Sequence, residues 1–137
     1  MMLLSLFLHS CSSHTPPYLM YRAEQFNTQD IPEVEQLIRN IANKWDFQIK
    51  EKDREQMKIL SSGEEAFVIF LLHDKEWIVD IGNVGTSQII TLMFYDQGQL
   101  PVSKLEQLAK ELKSELENRF NLEFCVADPD TSICKEK

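Results

Sequence analysis

The sequence predicts an α+β fold, in which an antiparallel sheet of about four to five strands packs with two amphipathic helices. Two segments place apolar residues at helical spacing. Four segments between them, and one after them, alternate in polarity or are rich in β-branched and aromatic residues. The predicted order is therefore helix, strands, helix, strand. A chain of 137 residues is long enough for one domain with its own core.

Both helices show start signals and apolar stripes. The first is predicted to begin at Asp30, with Glu33 as its capping-box partner, and the second near Ser103, with Glu106 in the same role. The stripes are expected to face the core. They consist of Ile31, Val34, Leu37, Ile38, Ile41, Ala42 and Trp45 in the first helix, and of Leu105, Leu108, Ala109, Leu112, Leu116 and Phe120 in the second.

Five strands are predicted, and two of them are apolar on both sides. A turn at residues 73–75 makes a hairpin of the second and third strands. The second and fourth strands should be buried on both faces, because apolar side chains point both ways from them. The predicted strands are residues 47–52, 66–72, 76–81, 88–95 and 122–126.

Alternation also predicts a possible binding face on the sheet. If both helices pack against the other face, this one remains for the N-terminal tether, a protein partner or a second copy. One helix on each face, or a strongly curled sheet, would cover it instead. Trp45 and Trp77 lie on apolar stripes and are expected in the core. The residues expected together on the possible binding face are Val68, Phe70, Leu72, Ile90, Leu92 and Phe94.

The charge balance is acidic. The chain has 22 Asp and Glu residues against 14 Lys and Arg, which gives a formal charge of −8. Such a surface repels phosphate backbones, and no Lys/Arg block overrides the repulsion. Nucleic acid is therefore not an expected partner. An anionic membrane surface would not attract the folded part by charge either.

The N-terminus carries a short apolar segment that stops at a cysteine. Residues 1–8 are apolar except for Ser5, and as a helix they would span roughly 12 Å, too little to cross a bilayer. Leu8-His9-Ser10-Cys11 resembles the lipobox of bacterial lipoproteins, with a leucine three residues before the cysteine and a small residue just before it. The alternative is an ordinary N-terminal strand or helix of the core.

The resemblance to lipoproteins implies a processing scheme and a location. Residues 1–10 would be a signal peptide, and Cys11 would be lipidated and become the new N-terminus. Residues 11–29 would form a tether, residues 30–127 the domain, and residues 128–137 a C-terminal tail. Membrane attachment would come from the lipid anchor. Ser12, rather than an aspartate, after the cysteine implies the outer membrane of the cell envelope, with the domain facing the periplasm.

Three cysteines leave one over if a disulfide forms. Lipidation of Cys11 would leave Cys125 and Cys134, and the periplasm is oxidising enough for these two to pair. The alternative is two unrelated thiols.

No catalytic constellation is evident. His14 and His73 have no motif around them, and the sequence contains no metal-ligand spacing and no Gly-rich phosphate loop. No metal, cofactor or catalytic residue is expected. The favoured function is protein binding by an accessory envelope lipoprotein, with an unknown partner or a second copy. The alternatives are a lipid-anchored immunity or inhibitor protein, whose acidic surface would suit a basic target, and an enzyme with a dispersed site.

Overall fold

A computed structural model describes residues 16–98 and 100–135 of the chain. The α+β class is confirmed: the described residues form an antiparallel sheet of six strands with three helices. In chain order the elements are β1 (Leu19–Ala23), a 3-10 turn (Thr28–Asp30), α1 (Ile31–Lys44), β2 (Gln48–Glu51), α2 (Arg54–Leu60), β3 (Val68–His73), β4 (Glu76–Gly82), β5 (Ile90–Phe94), α3 (Val102–Phe120) and β6 (Cys125–Val126).

The sheet has the spatial order β2-β3-β4-β5-β1-β6, and neighbouring strands are antiparallel. The first strand therefore lies inside the sheet, between β5 and β6. This corrects the predicted boundary at residue 30, because Leu19–Ala23 of the supposed tether belongs to the fold. The strand has only five residues and follows a Pro-containing polar stretch, so its alternation is too short to be distinguished from a linker.

The main core lies between one face of the sheet and the two long helices. Both predicted stripes are buried there, apart from the half-buried Trp45 and Phe120 at their ends. Glu111 of α3 also ties the helices together, since it accepts hydrogen bonds from Lys44 Nζ at 2.9 Å and from Trp45 Nε1 at 3.0 Å.

The helix starts differ from the predicted capping boxes. Asp30 precedes α1 but makes no side-chain capping bond; Asn27 instead accepts from the Gln29 amide and caps the preceding 3-10 turn. The third helix starts at Val102, directly after Pro101, also without a side-chain cap. Pro32 in the first turn of α1 and Pro101 before α3 restrict the backbone at each helix start, so the expected side-chain bond is not needed.

The short helix α2 was not predicted. Its cap, Asp53, accepts from the Glu55 amide at 3.2 Å, and Arg54 bonds Glu35 of α1 at 2.9 Å. Met57 is its one buried residue. A seven-residue helix with one buried position shows too little periodicity to be detected, although Asp53 with Gln56 three residues later is a start signal.

The C-terminal segment folds back on the edge of the sheet. Cys125 and Cys134 form a disulfide with 5.7 Å between their Cα atoms, which confirms the predicted pairing. Ala127 and Cys134 form a β-bridge, and the Lys135 amide bonds the Val126 carbonyl at 2.7 Å. Residues 128–135 thus fold back against β6 through the disulfide and this bridge, whereas the sequence suggested a separate tail.

Within the described ranges, no helix is long and apolar enough to cross a membrane. The predicted signal segment 1–10 and the predicted lipidation site Cys11 lie outside the described residues.

Candidate functional site

The register of the central strands decides which side chains share a face. Asp80 of β4 lies opposite Phe70 of β3 and Met93 of β5. Because directly opposite residues project to the same side of a sheet, these three side chains share one face. The neighbouring residues Ile81 and Leu92 point the other way, into the core under the helices.

The predicted binding face is wrong as a set. Val68, Phe70 and Leu72 lie on the face opposite the long helices, whereas the other three predicted residues are in the helix-side core with no exposed surface. Alternation fixes which residues of one strand share a face, but the register between strands decides which faces coincide. The three that belong to the core are Ile90, Leu92 and Phe94.

We call the face without the long helices the open face. Helix α2 places Met57 against this face. The largest apolar feature is a pair of rings, Phe70 and Trp77, stacked with centroids 4.9 Å apart and planes at 11°. Phe70 is 8% exposed, but Trp77 is 43% exposed. The prediction that Trp77 lies in the core is therefore wrong.

A β-bulge explains why simple alternation failed here. Leu71 pairs with Val79 but Leu72 pairs with Trp77, so Ile78 is the extra residue on β4. Ile78 is fully buried in the helix-side core. The insertion brings Trp77 and Asp80, which strict alternation would separate, onto the same face. No pattern in the sequence indicates this bulge.

Asp80 lies at the centre of the open face, in a largely apolar setting. It lines a cavity of about 260 Å³. Within the described part of the chain its carboxylate makes no hydrogen bond or ion pair, and burial raises its pKa to about 6. The other residues that line this cavity are Lys52, Met57, Val68, Phe70, Gly82, Val84, Thr91 and Met93.

Two further groups set the electrostatics around Asp80. Lys52 lines the same cavity, with its ammonium nitrogen 5.7 Å from the centre of the Phe70 ring. Tyr95 lies nearby, and burial together with the negative charge of Asp80 raises its pKa to about 12. The phenol therefore stays neutral at physiological pH.

A second cavity, of about 240 Å³, continues the first across the sheet. The two share Gly82, Val84 and Thr91, so together they form one groove. Arg22 lines its far end and pairs with Glu24 at 3.1 Å. The groove therefore has Asp80 and Lys52 in one part and Arg22 in the other.

The rim of the groove is held by Asn83, which sequence reasoning missed. Its side chain is buried; Oδ1 accepts from the Phe67 amide at 2.9 Å, and Nδ2 donates to the carbonyls of Glu65 at 3.2 Å and Ser87 at 2.8 Å. The Gly85 amide donates to Ser61 Oγ at 2.9 Å. These bonds fix the loop that carries Val84, so this side of the groove is preformed.

No group of three or more His, Cys, Asp or Glu side chains within residues 16–98 and 100–135 could hold a metal ion. His73 lies at the hairpin turn, where its ring contacts Phe47 edge-on at 5.7 Å between centroids. No protein-family model, curated protein or solved structure matches this chain.

Proposed function

We propose that this chain is a lipid-anchored protein of the bacterial cell envelope whose domain faces the periplasm and binds another protein through the open face. One observation carries the proposal. Both long helices cover the same face of the sheet, and the other face presents the half-exposed Trp77 beside a groove. Aromatic residues at the centre of a partly apolar patch are typical anchors of protein interfaces.

The cysteines support the envelope location. A disulfide between Cys125 and Cys134 is favoured in an oxidising compartment such as the periplasm. It leaves Cys11 as the odd thiol, within the motif that resembles a lipobox. A lipid on Cys11 would account for all three cysteines.

Anchoring is tested by metabolic labelling. Bacteria that express the full-length chain are fed an alkyne-tagged palmitate, and we expect the tag on the wild type and on Ser12→Ala, but not on Cys11→Ser. The two variants change adjacent residues, and only Cys11→Ser removes the thiol that would carry the lipid. An untagged wild type in a host that labels its own lipoproteins would contradict the proposal.

Binding is tested by site-specific photo-crosslinking in intact cells. A photoreactive phenylalanine analogue replaces Trp77 or, as the control, Tyr18, which is 49% exposed but packs beside α3. We expect a discrete adduct with a second protein from position 77 and none from position 18. The absence of an adduct at position 77 in a correctly folded protein would contradict binding at this face.

An immunity or inhibitor role is the second candidate, and the charge favours it. A formal charge of −8 attracts basic proteins and repels acidic ones. Under this proposal the crosslinked protein would be a basic toxin or hydrolase, and loss of the chain would sensitise the cell to it.

A further inference from the structure

We propose that Asp80 is the recognition point of the open face and that it receives an arginine side chain, flanked by apolar residues, from a basic partner protein. This inference rests on the proposed function, because it specifies the chemistry of the partner at the same face. It also explains why a carboxylate stands at the centre of an otherwise apolar patch.

The position of Asp80 is unfavourable for the free domain. Its neighbours across the strands are Phe70 and Met93, and no described residue donates a hydrogen bond to it. Burial of a charge without a partner opposes folding, so an apolar residue here would suit the isolated fold better. A charge without a partner in such a place is typical of positions where a ligand supplies the partner.

None of the cations among the described residues occupies this position. Lys52 shares the cavity, but its ammonium lies over the Phe70 ring and makes no ion pair with Asp80. Arg22, at the far end of the groove, is paired with Glu24. The remaining titratable group nearby, Tyr95, is neutral and brings no positive charge. Among the described residues the carboxylate therefore has no cationic partner, and a cation from outside can supply one.

The surroundings favour a guanidinium over an ammonium group. A guanidinium can bond a carboxylate through two parallel N–H groups and can stack flat on an aromatic ring. The half-exposed ring of Trp77, stacked on Phe70, provides such a surface on the same face as Asp80. Met57, Val84 and Met93 line the rest of the cavity and suit apolar residues next to the arginine. The net charge of −8 would draw a basic segment to the domain.

Three N-acetylated tripeptide amides test the proposal: Leu-Arg-Phe, its citrulline analogue, which is neutral and nearly the same shape, and its lysine analogue. The full-length chain in detergent micelles is labelled with 5-fluorotryptophan. The chain has two tryptophans, so Trp45 is an internal control for Trp77. We expect the arginine peptide to shift the Trp77 fluorine signal saturably, and the citrulline peptide to bind about tenfold more weakly.

Variants separate Asp80 from the general acidity of the protein. Asp80→Asn should abolish the preference for arginine over citrulline, whereas Asp74→Asn, at an exposed position in the adjacent turn, should keep it. Lys52→Ala should strengthen arginine binding, because it removes a positive charge from the cavity that repels the guanidinium. Equal binding of arginine and citrulline peptides, or a preference that survives Asp80→Asn, would overturn the proposal. Equal binding of the lysine peptide would overturn the assignment to a guanidinium.

The two proposals fail in different ways. An adduct at position 77 together with equal binding of the arginine and citrulline peptides leaves the binding face in place and removes the role of Asp80. If the arginine peptide is preferred but no adduct forms in cells, the recognition chemistry at Asp80 is supported. The proposed binding of a partner protein in the cell envelope is then contradicted. An adduct between two copies of this chain would overturn the proposal that the open face binds a basic partner protein.

Discussion

At the residue scale, the ionisation of Asp80 links the open face to the stability of the domain. Burial raises its pKa from 3.8 to about 6, so between these values the unfolded chain has released a proton that the folded protein still holds. Stability from this group therefore falls as the pH rises from about 4 to about 6, and above that range the full penalty remains.

Asp80→Asn should remove this penalty. We expect the variant to be more stable than the wild type by about 1–3 kcal/mol near pH 7.5, with most of the difference gone near pH 4. Urea unfolding at the two pH values measures it. Asp74→Asn, which changes an exposed charge, should show no such pH dependence. A destabilised Asp80→Asn at neutral pH would mean that the carboxylate has a stabilising contact in the fold.

Asn83 is the second residue with a measurable role. Asn83→Ala would remove three hydrogen bonds and leave the buried Phe67 amide without its acceptor. We expect a loss of about 2–4 kcal/mol in the free energy of unfolding, measured by urea denaturation. Asn43→Ala, at an exposed position near the end of α1, should cost little or nothing. Similar losses in both variants would argue against a specific role of the Asn83 hydrogen bonds in holding the rim of the groove.

Residue positions on the faces could be predicted only in part. Alternation assigned Val68, Phe70 and Leu72 to one face of β3, and they do share it. It could not assign Trp77 and Asp80, because the bulge at Ile78 shifts the pattern within β4. Hydrogen bonds between strands that are distant in the sequence set this register, and residue spacing within one strand does not indicate it.

At the element scale, β1 departs most from the sequence-based expectation, because it lies in the segment that was expected to be a tether. It pairs with β5 over five residues and with β6 over two, and its Met20 and Ala23 are buried. A chain that begins at residue 30 would lose this strand and expose the edge of β5.

Truncation tests the importance of β1. We expect a chain starting at Pro16 to unfold cooperatively on heating and a chain starting at Asp30 to show no cooperative transition or to aggregate. Circular dichroism and size-exclusion chromatography distinguish these outcomes. A chain starting at Glu24 is an informative third case, because it keeps the residues after the strand and removes the pairing itself. A folded, monomeric chain from residue 30 would contradict the placement of β1.

Strongly patterned elements were predictable, and two short elements with weak patterns were not. The stripes of α1 and α3 and the strands β3 to β5 follow from residue spacing and composition, because each buries several side chains. Helix α2 buries only Met57, and β1 is five residues long. For elements this short, tertiary contacts decide the conformation and leave little trace in local spacing.

At the scale of the whole molecule, the charge of −8 argues against pairing of identical copies. Two such surfaces repel each other, most strongly at low ionic strength. We expect sedimentation of the full-length chain in detergent to show one chain per particle at low salt. A dimer that Trp77→Ser dissociates would instead assign the open face to self-association.

The position of β1 within the sheet has a mechanical consequence for an anchored domain. Under the proposed lipidation, the anchor at Cys11 would pull on the N-terminal end of β1 through about eight residues, a reach of about 28 Å when extended. The hydrogen bonds to β5 and β6 run across the strand axis, so this force shears both ladders at once. A strand at an exposed edge would be held by one ladder instead of two. The domain is therefore expected to withstand tension from the membrane side better than tension applied to β2, the four-residue strand at the opposite edge.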